Sequence, residues 1–362
     1  MPPAARRPPF AARIGASCAH AFSTASARPC PSSPRPWRAA PGRPSWCWPA
    51  ARAGSLGFLA GGYRTPDALA AQIERVRAAG VAFGVNLFTP PPVPVDPRAY
   101  RDYARTLEPE AERLGIALPD GPPVEDDDRW ERKTELLLAR PVPVVSFTFG
   151  LPGAELVEAL RKAGTAVLQS VTSPEEASRA ADQGVDALVV QACAAGGHSA
   201  TLTPGRPPAD VPLPDLVDAV RRAVPLPVVA AGGVAGPEDV AAALRAGAEA
   251  VSVGTLLLRT HESGASAPHQ DALADPAFTG TVLTTAFTGR PARALRNRFT
   301  DLHGPSAPLG YPALHHLTAP LRKAGTAAGD TSVVHLWAGT GYRRARCEPA
   351  ADTLRRLAAG AP

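Results

Sequence analysis

Val228-Val229-Ala230-Ala231-Gly232-Gly233-Val234-Ala235-Gly236-Pro237-Glu238-Asp239-Val240 reads as a strand, a glycine turn and the first turn of a helix. Residues 227–232 are apolar and uncharged after Pro227, as expected for a strand buried on both faces. Pro237 suits a first helical turn, where its missing N–H is not needed. The helical pattern 237–246 ends at Gly247, and a second apolar run, 250–258, follows at once. A strand, a helix and a strand in succession are the unit of a parallel sheet.

The same pattern recurs outward from this stretch. Apolar runs at 55–60, 83–88, 143–149, 166–171 and 187–193 predict five more strands. Helical patterns occupy 66–79, 174–183 and 215–223. Thr65-Pro66 and Ser173-Pro174 are helix starts in which the hydroxyl can cap free N–H groups, and Gly80 and Gly184 close the same helices. Seven strands are visible, and a closed (β/α)₈ barrel needs eight. The expected fold is α/β, a TIM barrel whose first strand is missing or altered, with a doubly wound open sheet as the alternative. Residues 120–128, with Pro122-Pro123 and five acids, predict an exposed loop. Residues 260–362 show no clear alternation and are expected to form a last helix and a C-terminal covering segment.

Residues 1–50 differ from the rest. They hold seven Arg, eleven Pro and no Lys, Asp or Glu. The tract is +7 in a chain that is formally +5, so the other 312 residues sum to −2. The basicity therefore does not describe the folded body and gives no reason to expect nucleic acid as a partner. The tract has no apolar periodicity and no 7–15-residue apolar core of a secretory signal. A disordered basic tail and a transit peptide both fit its composition. So does translation in the wrong frame: Pro44-Ser45-Trp46-Cys47-Trp48-Pro49 can be encoded so that a two-base shift reads Glu-Leu-Val-Leu-Ala, a helix-forming stretch leading directly into residues 53–58. Three of the five cysteines, Cys18, Cys30 and Cys47, lie in the tract. Cys193 and Cys347 make no disulfide framework or metal spacing, which fits a reducing compartment. No apolar run reaches the 18 residues of a membrane span.

Three segments carry chemistry. Gln191-Ala192-Cys193-Ala194-Ala195-Gly196-Gly197-His198 follows the strand 187–193 and lies where barrel active sites are built. Gly196 and Gly197 let backbone approach a ligand, and His198 can move a proton. In isolation the same residues also describe a glycine turn with a surface histidine. Gly232-Gly233 and Ser252-Val253-Gly254-Thr255 end the last two strands, where barrels bind phosphate through exposed N–H groups. Neither a P-loop nor a Rossmann glycine pattern is present. Asn86, Gln169 and Gln191 place amides on three strands. They either line a site for a ring with donors and acceptors, such as a flavin, or satisfy neighbouring backbone. His315-His316 has no third ligand at a metal spacing, so no metal is expected. Residues 290–298, rich in Arg, read as a solvated face, and residues 337–342 as packing or a pocket cover.

Taken together, residues 57–89, Val145-Ser146-Phe147-Thr148-Phe149-Gly150, the Gly-Gly-His segment, Ala230-Ala231-Gly232-Gly233 and Val253-Gly254-Thr255 resemble the nitronate monooxygenase family, formerly 2-nitropropane dioxygenases. The resemblance spans residues 54–345. It implies an FMN-dependent TIM-barrel oxidoreductase that oxidises alkyl nitronates, such as the toxin propionate 3-nitronate, with molecular oxygen. Such an enzyme serves detoxification in the cytoplasm and needs neither nucleic acid nor membrane. By the same resemblance Asn86, Gln191, Gly196 and Gly197 are FMN contacts. Gly232, Gly233, Ser252, Val253, Gly254 and Thr255 are its phosphate and ribityl end, Gln169 lies near the flavin, and His198 is the catalytic base or orients an anionic nitronate. Three departures stand out. The family's Met-containing first-strand motif is absent, since Met1 is the only methionine. Thr148 stands where many relatives have His, and Thr340 where they often have Gln. The implied organisation is an atypical tract 1–53, a barrel 54–345 and a C-terminal helix or tail 346–362. A flavin-type enoyl-ACP reductase, which would need NAD(P)H, and an inactive product lacking its first strand are the alternatives.

Overall fold

The computed structural model describes residues 47–90 and 94–361. The readings of residues 1–46 lie outside these. In chain order the first elements are α1 (Cys47–Arg52), β1 (Gly57–Ala60), α2 (Pro66–Ala78), β2 (Phe83–Phe88), α3 (Pro97–Arg113), α4 (Trp130–Ala139) and β3 (Val144–Thr148). Next come α5 (Ala154–Lys162), β4 (Ala166–Val171), α6 (Pro174–Asp182), β5 (Ala187–Gln191), β6 (Gly197–His198) and α7 (Leu213–Ala223). Then follow β7 (Val228–Ala231), α8 (Pro237–Arg245), β8 (Ala250–Ser252), α9 (Ala267–Ala272), β9 (Thr281–Thr284) and β10 (Ala292–Leu295). The chain ends with α10 (Arg298–His303), α11 (Ala313–Ala328) and α12 (Ala350–Ala358).

Seven strands form one parallel sheet in the order β1-β2-β3-β4-β5-β7-β8. The order follows the sequence without reversal, which sets aside the doubly wound alternative, where it would turn back at a switch point. Among the described residues β1 and β8 end the sheet and do not pair with each other, so it is a curled, open barrel. Side chains alternate across it. One set, with Phe58, Val144, Leu168, Val189 and Ala231, packs inside the curl. The other, with Val145, Phe147, Val167, Val171 and Leu188, packs against the helices.

The helix starts form as their sequences predict. Thr65 Oγ1 accepts Ala68 N–H at 3.1 Å and Ser173 Oγ accepts Glu176 N–H at 3.2 Å. At Gly236-Pro237 the cap is supplied from inside the helix: Asp239 Oδ2 accepts from Ala235 N at 2.8 Å and Gly236 N at 3.0 Å.

Four expectations need correction. First, the end of the atypical tract is folded: α1 buries Cys47 and Ala50 in the main core and packs against β1 and α12. Small side chains every third residue suffice for this, without any longer apolar pattern. Second, the helix or tail expected over 346–362 is a helix, α12, but it is not separate from the barrel, since Leu354 and Leu357 close the same core. Third, the run 250–258 is a strand only to Ser252; the chain then turns at Gly254 into a 3₁₀ turn, Thr255–Leu257. Fourth, residues 290–298 are not a solvated face. They hold β10, which pairs antiparallel with both β9 and β6 in a second, three-stranded sheet. Ala292, Ala294 and Leu295 are buried, and Arg290 is only 2 % exposed. This sheet, α10 and α11 form the C-terminal cover with a core of their own around Phe287, Phe299 and Leu317. No helix among the described residues is long and apolar enough to cross a membrane.

Candidate active site

Strand register decides which predicted residues meet. Asn86 pairs with Ala60 and Ser146 and so points inside the curl. Its Nδ2 donates to Ser146 Oγ at 2.8 Å and Thr148 Oγ1 at 3.0 Å, and Thr148 Oγ1 lies 3.3 Å from Ser170 Oγ. A polar layer thus crosses β2, β3 and β4 near their C-terminal ends. Gln191 pairs with Ala231 and also points inward. Its amide braces the following loop: Nε2 donates to His198 O at 3.3 Å and Oε1 accepts Ala200 N–H at 2.7 Å. Gln169 does not join them. It pairs with Phe147 and Leu188 and sits between Val167 and Val171 on the helix-facing side. It is 0 % exposed, and its Oε1 has no hydrogen-bond partner. Only two of the three amides therefore face the barrel interior.

The Gly-Gly-His segment is more than a turn. Gly197 and His198 form β6, paired with Arg293 and Ala292 of β10. Gly197 has φ +79°, which a side chain would resist, and space lies open above it. A Cβ at Gly196 would instead collide with the backbone of Ala338 and Gly339. The turn after β7 packs under the same loop, since a Cβ at Gly232 would meet Ala192 O at 2.9 Å and one at Gly233 would meet Ala194 Cβ at 3.1 Å. Gly254 faces open space. Ser252 ends β8 in register with Ala231, and Val253 is buried beside it. Thr255 Oγ1 accepts Gly339 N–H at 2.9 Å, and Ala194 O accepts Thr340 N–H at 3.1 Å. Residues 337–340 thus join the loops after β5 and β8, the covering role that the sequence left open.

His198 is half-buried among aromatic rings. Its imidazole centre lies 5.6 Å from Phe149, 5.8 Å from Tyr311 and 5.2 Å from Trp337. Its Nε2 is 2.9 Å from Thr288 Oγ1, which is itself placed to donate to Arg290 O at 3.4 Å. That arrangement assigns the ring proton to Nε2 and leaves Nδ1 with the lone pair. Burial, then the fields of Arg290 and Arg322, lower its pKa to about 3, so the ring is neutral at physiological pH.

Phe149, Thr288, Arg290 and Tyr311 were not singled out from the sequence. Phe149 has φ +84°, an unfavourable backbone for a residue with a side chain. It turns the ring to stack on Phe88 at 4.5 Å and present its edge to His198. Tyr311 donates to Tyr63 OH at 3.1 Å, and Tyr63 stacks on His315 at 4.5 Å. The acidic loop is tied to this rim. Asp128 pairs with the buried Lys133 at 2.7 Å and accepts Tyr63 N–H at 3.0 Å, and Asp126 meets His316 Nε2 at 2.5 Å. No three His, Cys, Asp or Glu side chains among the described residues are grouped to hold a metal.

Comparison with known proteins adds to this geometry. A family model described as nitronate monooxygenase matches residues 43–359, which starts earlier and ends later than the motifs alone suggest. A probable nitronate monooxygenase of Staphylococcus aureus is 32% identical over 304 residues, covering 82% of this chain and 84% of that protein. A nitroalkane oxidase of Streptomyces ansochromogenes, known from crystal structures, is 46% identical with a TM-score of 0.82, covering 90% of this chain and 94% of that one. FabK of Thermotoga maritima superimposes with a TM-score of 0.68 at 23% identity, over 98% of this chain and 96% of that one, which is a likeness of fold alone.

Proposed function

The chain belongs to the nitronate monooxygenase family of oxidoreductases, and from that premise we propose that it is an FMN-dependent enzyme oxidising alkyl nitronates with molecular oxygen. The observation that carries the substrate reading is the neutral His198, set among aromatic rings and under the fields of Arg290 and Arg322, in the loop that follows the C-terminal end of β5. A group with a pKa of about 3 is a poor base for a neutral nitroalkane. It is well suited to orienting a nitronate that arrives already ionised.

The residues present fit FMN. Gly197 and Gly254 border open space where a side chain would intrude, and Gly232 and Gly233 both have positive φ. Backbone N–H groups of Gly233, Gly254 and Thr255 would hold the phosphate, with Ser252 and Val253 beside them. Gly196 and Gln191 contribute by shaping the loop, and Asn86 with its polar layer would face the ring. When bound, the flavin supplies electron acceptance and oxygen activation. The protein's own part is to orient the substrate at Nδ1 of His198, keep water out with Phe149, Tyr311 and Trp337, and fix the imidazole through Thr288. The partners are then a small nitronate and oxygen, and few cysteines fit a cytoplasmic setting.

The description of the Streptomyces relative as a nitroalkane oxidase favours a second reading, in which Nδ1 takes the α-proton of a neutral nitroalkane. Steady-state kinetics on one compound offered as nitronate and as freshly dissolved nitroalkane separate the two. The first reading expects the higher kcat/KM for the nitronate. A preference for the neutral form, rising through pH 6–7, would establish the second. Visible flavin bands in the purified protein test the cofactor, and NADH oxidation tests the enoyl-reductase alternative.

A further inference from the structure

One buried charge enters the function proposed above only through its field on His198. Arg290 donates through Nε to Ser199 O at 3.2 Å and through a terminal nitrogen to Thr201 O, and its guanidinium carbon lies 3.9 Å from the centre of the Phe149 ring. Two carbonyls and a ring face carry no negative charge. Among the described residues no carboxylate is within ion-pair distance of this guanidinium. The acid whose field acts on it, Glu176, already accepts four hydrogen bonds, from Thr172 N, Thr172 Oγ1, Thr201 Oγ1 and Leu202 N.

Burial of an uncompensated cation is costly, and it lowers the Arg290 pKa to about 10. Such a group gains most when a further anion enters its low-dielectric surroundings. The Phe149 ring that Arg290 covers presents its edge to both His198 and Tyr311. The buried Arg322, which donates to His315 O at 2.7 Å, adds a second positive field at the same imidazole. The uncompensated charge therefore lies one aromatic ring away from the imidazole that a substrate would meet.

We propose that Arg290 is the residue that selects the charge of the ligand, admitting a small planar anion of the nitronate type in preference to the neutral nitro compound. This rests on the reading of the site given above and names the residue that sets its preference. Arg290 does so through the ring and the field rather than by chemistry of its own.

Nitrite is a suitable probe, because it carries the charged O–N–O unit and binding needs no turnover. Titration calorimetry on the purified protein should show nitrite binding to the wild type and roughly ten- to a hundredfold weaker binding to Arg290→Met. Arg290→Lys, which keeps the charge, should recover part of the affinity, and neutral nitroethane should bind all three alike. In Arg290→Met the His198 imidazole, followed by NMR, should titrate closer to its ordinary value, whereas Arg290→Lys, which keeps the charge, should leave it low; an equal rise in both variants would mark hydration of the site instead of loss of the field. If Arg290→Met does not fold, the wild type decides. Nitrite must then raise its melting temperature where nitroethane at equal concentration does not. Equal nitrite affinity in wild type and Arg290→Met, or no effect of nitrite on the wild type, overturns the proposal. Anion selection without nitronate turnover would instead overturn the reaction and leave Arg290's role standing.

Discussion

At His198, burial and two arginine fields act in the same direction and keep the ring neutral. An ordinary histidine base loses activity below about pH 6.5 as it protonates. With a pKa of about 3 that loss moves out of the working range. We expect kcat/KM on a nitronate to stay flat between pH 8 and pH 5, and an inflection near 6.5 in a pH profile would contradict this. His198→Asn should lower kcat about a hundredfold through misplacement of the substrate while leaving flavin absorbance intact. Gln169 supplies the contrasting case. Its side chain lies between Val167 and Val171 on the helix side, so Gln169→Met should keep full flavin absorbance. It should also leave the melting temperature unchanged or raised, because an unpartnered buried acceptor disappears. Loss of flavin in that variant would mean that the register reading is wrong. The orientation was legible in the sequence, since Gln169 shares the parity of Val167 and Val171, but amide chemistry without parity pointed the wrong way.

The segment 337–340 and the loop after β5 hold each other with almost no side chains. A Cβ at Gly339 would lie 2.7 Å from Ala194 O and 3.0 Å from Gly196 N, so neither backbone has room to yield. Gly339→Ala should therefore displace the loop that carries His198, with loss of flavin retention at modest loss of secondary structure. Flavin titration beside circular dichroism checks it, and normal retention would show that the contact is dispensable. The contrast between legible and hidden elements follows from the forces that form them. The parallel strands were readable because burial on both faces leaves an uncharged apolar run, and α2 and α6 because a hydroxyl cap, Pro and a closing glycine mark their ends. The second sheet left no such trace. Its β6 is two residues long, and β10 carries Arg293, whose Nε donates to Cys193 O at 2.7 Å instead of reaching solvent. Arginine read as exposure fails wherever carbonyls and a ring take the place of water, as at Arg290.

The whole molecule joins a curled parallel sheet to a C-terminal cover, and several histidines sit at or near the seam. His198 has a pKa of about 3, and burial lowers His269 to about 4 even though its Nε2 lies 3.0 Å from Trp337 O. His335, 5.3 Å from the Trp337 ring, is held well below its ordinary value by burial and then by the field of Arg322. All three are neutral when folded, whereas the unfolded chain protonates them near pH 6.5. Between the unfolded and folded values the unfolded state binds more protons, so stability must fall as pH is lowered. The effect is absent above pH 7 and grows below 6.5, reaching at most about 1.4 kcal/mol per pH unit for each histidine. Carboxylates act lower. Glu110 is buried, but Arg298 and Arg113 outweigh the desolvation and hold its pKa below the usual value, so its contribution is lost only in stronger acid. Denaturant midpoints at pH 7.5, 6.0 and 5.0 should therefore fall from the first interval onward. His269→Gln, which can still donate to Trp337 O, should reduce that slope by about one proton's share. A midpoint that stays level down to pH 5, or a slope that His269→Gln leaves unchanged, would show that the seam is hydrated and these histidines titrate freely.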